Sequence, residues 1–359
     1  MSRRRLRDLG IVIGDLPTGP HNAITDVPGV WVGHTTLIFD DPSTARTGVT
    51  VVVPRAGDVF QDQCYAGYYS FNGNGEMTGI HWLEESGLLS SPIAITNTNQ
   101  VGVVRDALVA YELERHPDSD WLLPVVAETS DAWLNDMKAF HVTKEHVYAA
   151  LAAARPGPVT EGNVGGGTGM ICHEFKGGIG TSSRRVVLAE REYILGALVQ
   201  ANYGWREHLR VDGVPVGRLI PPTEVPRPQD TPASDGSIII VVATDAPLLP
   251  VQCKRLARRA TVGLARVGGN GHNGSGDLFL AFATGNLVPV ASEHPIPVRM
   301  MPNGQLNLLF NAVADAVEEA ILNALTAAET ITGLHGRMAH AIPLDRLEAV
   351  MATYSRKDS

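Results

Sequence analysis

Cysteine is scarce in this chain: Cys64, Cys172 and Cys253 are the only three in 359 residues, odd in number and far apart. That excludes a disulfide framework and any CxxC metal or redox motif, and it fits a reducing compartment with three small core residues. The twelve histidines form no HExxH, and His141 and His146 do not share a helix face, so no metal site is expected. Excess positive charge is also lacking. A net charge of -9 argues against nucleic acid or an anionic membrane as partner. No long apolar run follows the arginines of MSRRRLRDLG, because Gly14, Asp15 and Pro17 interrupt it. With neither an export signal nor a membrane span in view, the expected compartment is the cytoplasm. No period of 20 to 50 residues recurs, which excludes solenoids and propellers.

What is present is an ordinary globular balance, 44% hydrophobic and 19% charged. Apolar runs predict strands near 30-38, 48-53, 92-96, 122-127, 193-200, 237-244 and 278-284. Helical spacing predicts helices over 103-115, over 144-154 behind Thr143 as N-cap, over 247-266 and over 306-330. The last of these is rich in alanine and leucine, which suggests burial between layers. Strands and helices alternate along the whole length, so residues 1-359 are expected to form a single α/β domain interrupted by one long loop, 211-236.

The end of that loop is the most informative place. Pro215, Pro221, Pro222, Pro226, Pro228 and Pro232 disfavour helix and central strand, so the segment is expected to run extended over the surface. Directly behind it, Ser237 opens the run Ile238 to Val242, which reads as a strand buried on both faces. Scission at Gly236-Ser237 would leave a serine as a new N-terminus on a core strand. Its α-amino group, with an ordinary pKa of roughly 7.7 to 8.0, would serve as its own base. Gly236, lacking Cβ, lets the serine hydroxyl approach the preceding carbonyl. A Gly-Ser pair is equally ordinary turn chemistry, and composition does not decide between the two.

Three other segments gather polar or flexible residues. In GGNGHNGSGDLFLAF (268-282), Gly269, Gly271 and Gly274 spell GxGxxG, but the order helix, glycines, strand is the reverse of a dinucleotide site. The segment instead presents Ser275 and Asp277 two residues apart on one side of a strand entrance. The glycines of EGNVGGGTGM and KGGIGTSSR form no P-loop and suggest close backbone packing near a pocket. No GxSxG elbow surrounds Ser182, Ser237 or Ser275. After a strand end, Glu128, Asp131 and Asp136 are carboxylates that either hold a substrate ammonium or stay solvated.

Taken together, the motifs resemble the self-processing serine aminopeptidases, the DmpA-like L-aminopeptidase/D-amidase-esterases and β-peptidyl aminopeptidases. The resemblance runs through DVPGVWVGHTTL, RTGVTVVVP, ITNTNQVG, AETSDAWLND, EGNVGGGTGM, KGGIGTSSR, LVQANYG, GSIIIVVATDAPLLP and NGSGDLFLAF, most of residues 24-330. It implies an αββα four-layer sandwich of the type shared with ornithine acetyltransferases, and self-cleavage into an α part, 1-236, and a β part, 237-359. It further implies Ser237 as nucleophile, Ser275 and Asp277 as the groups that hold and polarise it, and Asn202 in the oxyanion hole. Glu128 would bind the substrate's free amino group. Family members commonly carry Tyr or Asn where this chain has Ser130, a substrate-contact position with a shorter side chain. The expected substrates are small peptides and amino-acid amides or esters, without a cofactor, and the expected assembly is a tetramer of αβ pairs. The rivals are a non-catalytic binding or scaffold relative and an acyl transferase of the ornithine acetyltransferase kind; the latter cleave before threonine, against which Ser237 argues.

Overall fold

The computed structural model describes residues 3-228 and 236-355. Pro232 and the rest of segment 229-235 therefore lie outside the described residues. Strands β1 (Trp31–Phe39), β2 (Ala45–Val53), β3 (Asp62–Gly73), β4 (Leu88–Leu89), β5 (Ile93–Thr96) and β6 (Val125–Glu128) come first. They are followed by β7 (Ile171–Cys172), β8 (Phe175–Lys176), β9 (Gly178–Leu188), β10 (Arg191–Tyr203), β11 (Gly236–Thr244) and β12 (Gly276–Pro289). The helices are α1 (Ile80–Ser86), α2 (Val101–Arg115), α3 (Lys144–Ala153), α4 (Val216–Leu219), α5 (Pro250–Val267), α6 (Leu306–Ala327) and α7 (Leu344–Ser355).

Two large sheets form, in the orders β1-β2-β5-β6 and β4-β3-β12-β11-β10-β9, beside small two-stranded ones such as β7-β8. Each large sheet contains one parallel pair joined through a helix, β5/β6 through α2 and β11/β12 through α5; the remaining pairs are antiparallel. Burial follows the period of two that a strand imposes. On β11, Ile239, Val241 and Ala243 face the first sheet and join Val52, Ile93, Ile95 and Val125 in a shared core. Ile238, Ile240 and Val242 point the other way, into a core made with Leu256, Ala260, Val313 and Val317 of α5 and α6. The outer face of the first sheet, with Val49, Val51 and Ala94, is covered by Val104, Leu108, Val147 and Leu151 of α2 and α3. The layers are thus helix, sheet, sheet, helix, the expected sandwich, with β11 apolar on both faces because it is buried on both. Each such Ile or Val side chain contributes roughly 1.5-3 kcal/mol.

Two expectations need correction. Pro215 does not keep the following residues extended: it caps a short helical turn, α4, because proline is tolerated where the first helical N–H groups have no partner anyway. Helix α6 is buried over most of its length, as expected, but not by lying between two layers. It lies on the second sheet as part of the outer layer and is covered further by the N-terminal segment, where the Leu6 N–H donates to Asn323 Oδ1 at 3.0 Å. The glycines of KGGIGTSSR pack closely on neighbouring backbone, as expected, and most of the segment also forms strand β9. It escaped a reading by hydrophobicity because Thr181, Ser182, Ser183 and Arg184 are all buried and individually hydrogen-bonded. Ser182 Oγ donates to the Ala316 carbonyl at 2.6 Å and Ser183 Oγ to Asp26 Oδ2 at 2.6 Å. Strand β3 and helices α1 and α7 were likewise not anticipated. The three cysteines are free and buried, as expected.

The N-terminus is locked to this frame by Glu319 of α6. Its carboxylate accepts from Arg184 Nη2 at 2.7 Å, from Arg7 Nε at 2.8 Å and Nη2 at 2.9 Å, and from Asn22 Nδ2 at 2.5 Å. Burial alone would raise its pKa, but the Arg7 hydrogen bonds and the Arg184 charge outweigh burial and hold it below the ordinary glutamate value. Glu319→Gln keeps the shape and removes the charge, leaving Arg184 buried without its counter-ion. Urea denaturation is expected to show a loss on the order of 3-5 kcal/mol. A loss under 1 kcal/mol would mean that the cluster adds little.

Candidate active site

The two sheets open at one end into a cavity of ≈ 930 Å³, lined among others by Gly75, Glu76, Thr98, Glu128, Ser130, Trp133, Glu174, Asn202, Arg227, Gly236 and Ser237. The first sheet delivers Glu128, the last residue of β6, and the second delivers Asn202 and Ser237. Asn202 and Ser237 are direct cross-strand partners in the β10/β11 ladder, so their side chains share one face. That face is the one between the sheets.

Two amides on β10 span the gap. Gln200 Nε2 donates to the Thr96 carbonyl at 3.0 Å and to Thr129 Oγ1 at 2.8 Å. Asn202 Nδ2 donates to the Ser130 carbonyl at 2.9 Å, while its Oδ1 accepts the Ile171 N–H at 2.8 Å. The second bond sets which end of the Asn202 amide is nitrogen. A side-chain amide has two N–H donors, and one remains for a ligand in the cavity.

Gly236 has φ +65°, in the left-handed region. A Cβ there would also collide with the Asn202 carbonyl and lie 2.8 Å from Tyr203 Cα, so conformation and space both demand glycine. The next residue, Ser237, is buried, and its Oγ accepts the Gly276 N–H at 3.1 Å. Behind it, Ser275 Oγ donates to Asp277 Oδ1 at 2.6 Å, and the Ile238 N–H also bonds that carboxylate. The pair does not line the cavity. It braces the strand entrance that carries Ser237.

Glu128 is 3% exposed. Its Oε1 accepts the Glu76 N–H at 2.9 Å and its Oε2 accepts the Thr98 hydroxyl. Burial raises its pKa above the ordinary glutamate value, with the hydrogen bonds from Thr98 and Glu76 opposing the shift. Both oxygens keep a lone pair for a further donor. Of its two sequence neighbours, Asp131 is buried outside the cavity, where its Oδ1 accepts Asn135 Nδ2 at 3.0 Å, and burial pushes it up to about 7. Asp136 caps a turn by accepting the Lys138 N–H at 3.2 Å. Ser130 lines the cavity, its hydroxyl 3.6 Å from Met137 Sδ, and reaches Asn202 through its carbonyl.

Other lining residues had no signal in the sequence. Glu174 is buried and pairs with Arg227, just before the undescribed segment, at 2.8 Å. Arg337 lies over the Trp133 ring at 4.2 Å. Thr98 sits in ITNTNQVG, which the sequence flagged only as a motif, and Glu76 is a solitary acid after glycines.

A serine, an amide donor and a buried carboxylate converge in one cleft, the outfit of a hydrolase that recognises a cationic group. Comparison with known proteins gives the class a family. Residues 22-339 match the model of peptidase family S58. The chain is 47% identical to the beta-peptidyl aminopeptidase BapA of Sphingosinicella microcystinivorans, over 98% of this chain and 93% of that one. Among solved structures, a beta-aminopeptidase of Burkholderia sp. superposes with a TM-score of 0.92 at 52% identity, covering 98% of this chain and 99% of the other. The L-aminopeptidase D-Ala-esterase/amidase of Ochrobactrum anthropi, described as a prototype for the serine aminopeptidases and a variant of the Ntn hydrolase fold, gives 0.91 at 44% identity with the same coverage. The chain belongs to peptidase family S58. It is a serine aminopeptidase with the Ntn-type fold that the sequence resemblance implied.

Burial lifts Asp277 from the usual 3.8 to about 6, against the opposing Ser275 hydrogen bond. A carboxyl whose folded pKa is raised favours the fold while protonated, so this contribution is complete below pH 3.8 and lost as pH rises through about 6. Two units correspond to no more than about 3 kcal/mol. Asp277→Asn cannot ionise, so the variant is expected to gain stability relative to the parent between pH 4 and 7. Thermal unfolding of both at pH 4, 6 and 8 reads this difference. A gap that does not change with pH would refute the shift.

Proposed function

We propose that the protein matures by cutting itself at Gly236-Ser237 and then acts as an N-terminal-serine aminopeptidase with Ser237 as nucleophile. The observation that carries this reading is Ser237 itself, held in the cavity beside Asn202 and directly after a left-handed glycine that admits no side chain. In maturation the Ser237 hydroxyl attacks the Gly236 carbonyl carbon. The C–N bond breaks, an ester forms on Oγ and the amine is released; water then hydrolyses the ester. In the mature enzyme the freed α-amine takes the hydroxyl proton as Oγ attacks the substrate carbonyl and returns it to the departing amine. Asn202 Nδ2 would donate its second hydrogen to the oxyanion, a contribution of roughly 2.7-4 kcal/mol in comparable sites. Ser275 and Asp277 would hold the strand end in register rather than touch substrate.

Glu128 would bind the substrate's α- or β-ammonium, and its burial supports this role, since a desolvated carboxylate pairs strongly with a cation and poorly with an acylated amine. Small peptides, amides and esters with a free amino terminus are the proposed substrates. The names of two relatives support extending these to β-amino residues. No helix among the described residues is long and apolar enough to cross a membrane. A cytoplasmic setting is supported by the three free thiols, and a homo-oligomer by exposed apolar side chains such as Ile38, Trp121 and Phe140.

Intact mass under denaturing conditions tests maturation directly. The parent is expected to give pieces 1-236 and 237-359, the second starting SIIIVV, and Ser237→Ala a single folded, inactive chain. An active preparation that remains one chain would overturn the mechanism. Selectivity tests the ammonium site: β-alanine p-nitroanilide is expected to be cleaved and its acetyl-capped form left at least about 100-fold slower. Glu128→Ala, in fully processed protein, should erase that preference; if the preference survives, Glu128 is not the ammonium ligand.

A further inference from the structure

Away from the cavity, the connection between β2 and β3 meets the C-terminal end of α2. Asp58 comes from the connection, while Glu112 and His116 lie four residues apart on the helix and so on one face. His116 Nε2 is 3.1 Å from Asp58 Oδ2 and 3.6 Å from Glu112 Oε2. The three atoms lie within 4.8 Å of one another.

Glu112 is 3% exposed, and its Oε2 is buried without a hydrogen-bond partner; the same is true of His116 Nε2. An unsatisfied buried carboxylate is costly, and here it points at the other two groups. Each member is otherwise fixed in place. Asp58 Oδ1 accepts the N–H groups of Phe60 and Gln61 at 3.1 and 3.3 Å, which leaves Oδ2 free to face inward. The His116 ring stacks on Phe60 at 4.6 Å, and the Gln61 side-chain amide lies 3.4 Å from Nδ1. With that amide turned, its oxygen would accept the Nδ1–H and orient the imidazole, as outer partners of metal-bound histidines do.

We propose that Asp58, Glu112 and His116 bind a divalent cation of the zinc type, which clips the β2–β3 connection to the end of α2. Two ligands at about 2.0-2.1 Å from a tetrahedral zinc ion stand about 3.3 Å apart, close to the two separations here. One imidazole and two carboxylates are a set that zinc accepts, with water in the fourth position. Asp58 is 30% exposed at its side chain, which leaves the ion a way in. Burial, with the Asp58 charge adding to it, pushes the Glu112 carboxyl up to about 7. The Arg115 charge opposes this shift only in part, its guanidinium lying over the Tyr111 ring at 5.4 Å. Glu112 and His116 stand four residues apart and belong to neither an HExxH nor a CxxC pattern.

Protein stripped with a chelator and dialysed would be titrated with zinc chloride by calorimetry, and its unfolding followed by differential scanning. One ion per chain is expected, with Tm raised about 3-4 °C at a hundredfold excess over Kd. Asp58→Asn and His116→Gln should each lose both effects while cleaving the amino-acid amide at the parent's rate. No stoichiometric binding, or binding unchanged in both variants, would overturn the proposal. So would an equal fall in Tm for His116→Gln with and without zinc, which would mark the cluster as a contact that holds the connection to the helix without an ion.

Discussion

The separation of the two sheets is the constraint on which the site depends. An apolar core fills most of the gap, and at one end the filling changes from Ile, Val and Phe to amides and a carboxylate. Gln200 and Asn202 reach across from β10 to the backbone and a hydroxyl of the first sheet. A buried amide left without these partners would cost about 1-3 kcal/mol, so each sheet holds the other in the spacing that lets Ser237 and Glu128 share a cavity. Neither sheet could present the site alone.

The same polar joint explains which parts of the molecule were legible in the sequence. Strands β2, β5 and β11 and helices α2, α5 and α6 announce themselves, because they are buried by apolar side chains at a regular period. Strand β9 does not, since Thr181, Ser182, Ser183 and Arg184 are buried by pairing with groups distant in the chain, and hydropathy carries no record of a partner. Ser237 was marked by the loop-to-strand junction, Asn202 and the role of Glu128 by the family resemblance; the β10/β11 register brings Asn202 beside Ser237, and the facing sheet supplies Glu128. Thr98, Glu76 and Glu174 were not, because each acquires its role only from a side chain or backbone group brought beside it by folding. Asp131 shows the converse: adjacent to Glu128 in sequence, it turns into the protein instead of the cavity.

Charge is placed in this fold by neutralisation more than by exposure. Glu319 is surrounded by Arg7, Arg184 and Asn22, and Glu174 is met by Arg227. Glu128 differs from these. It is buried with hydrogen bonds but no cationic partner in contact, which leaves it the one lining carboxylate among those buried in the cavity whose charge is still to be matched.

The order of strands in the second sheet has a consequence for what a break at Gly236-Ser237 would mean. Strands β11 and β12 lie between β3 on one side and β10 on the other, and Glu319 ties residues near the beginning of the chain to a helix near its end. The halves are interleaved like the fingers of two hands, with no plane along which they could be drawn apart while either stayed folded. A divided chain of this kind would still melt in one cooperative step, and dilution would not separate its halves short of unfolding them.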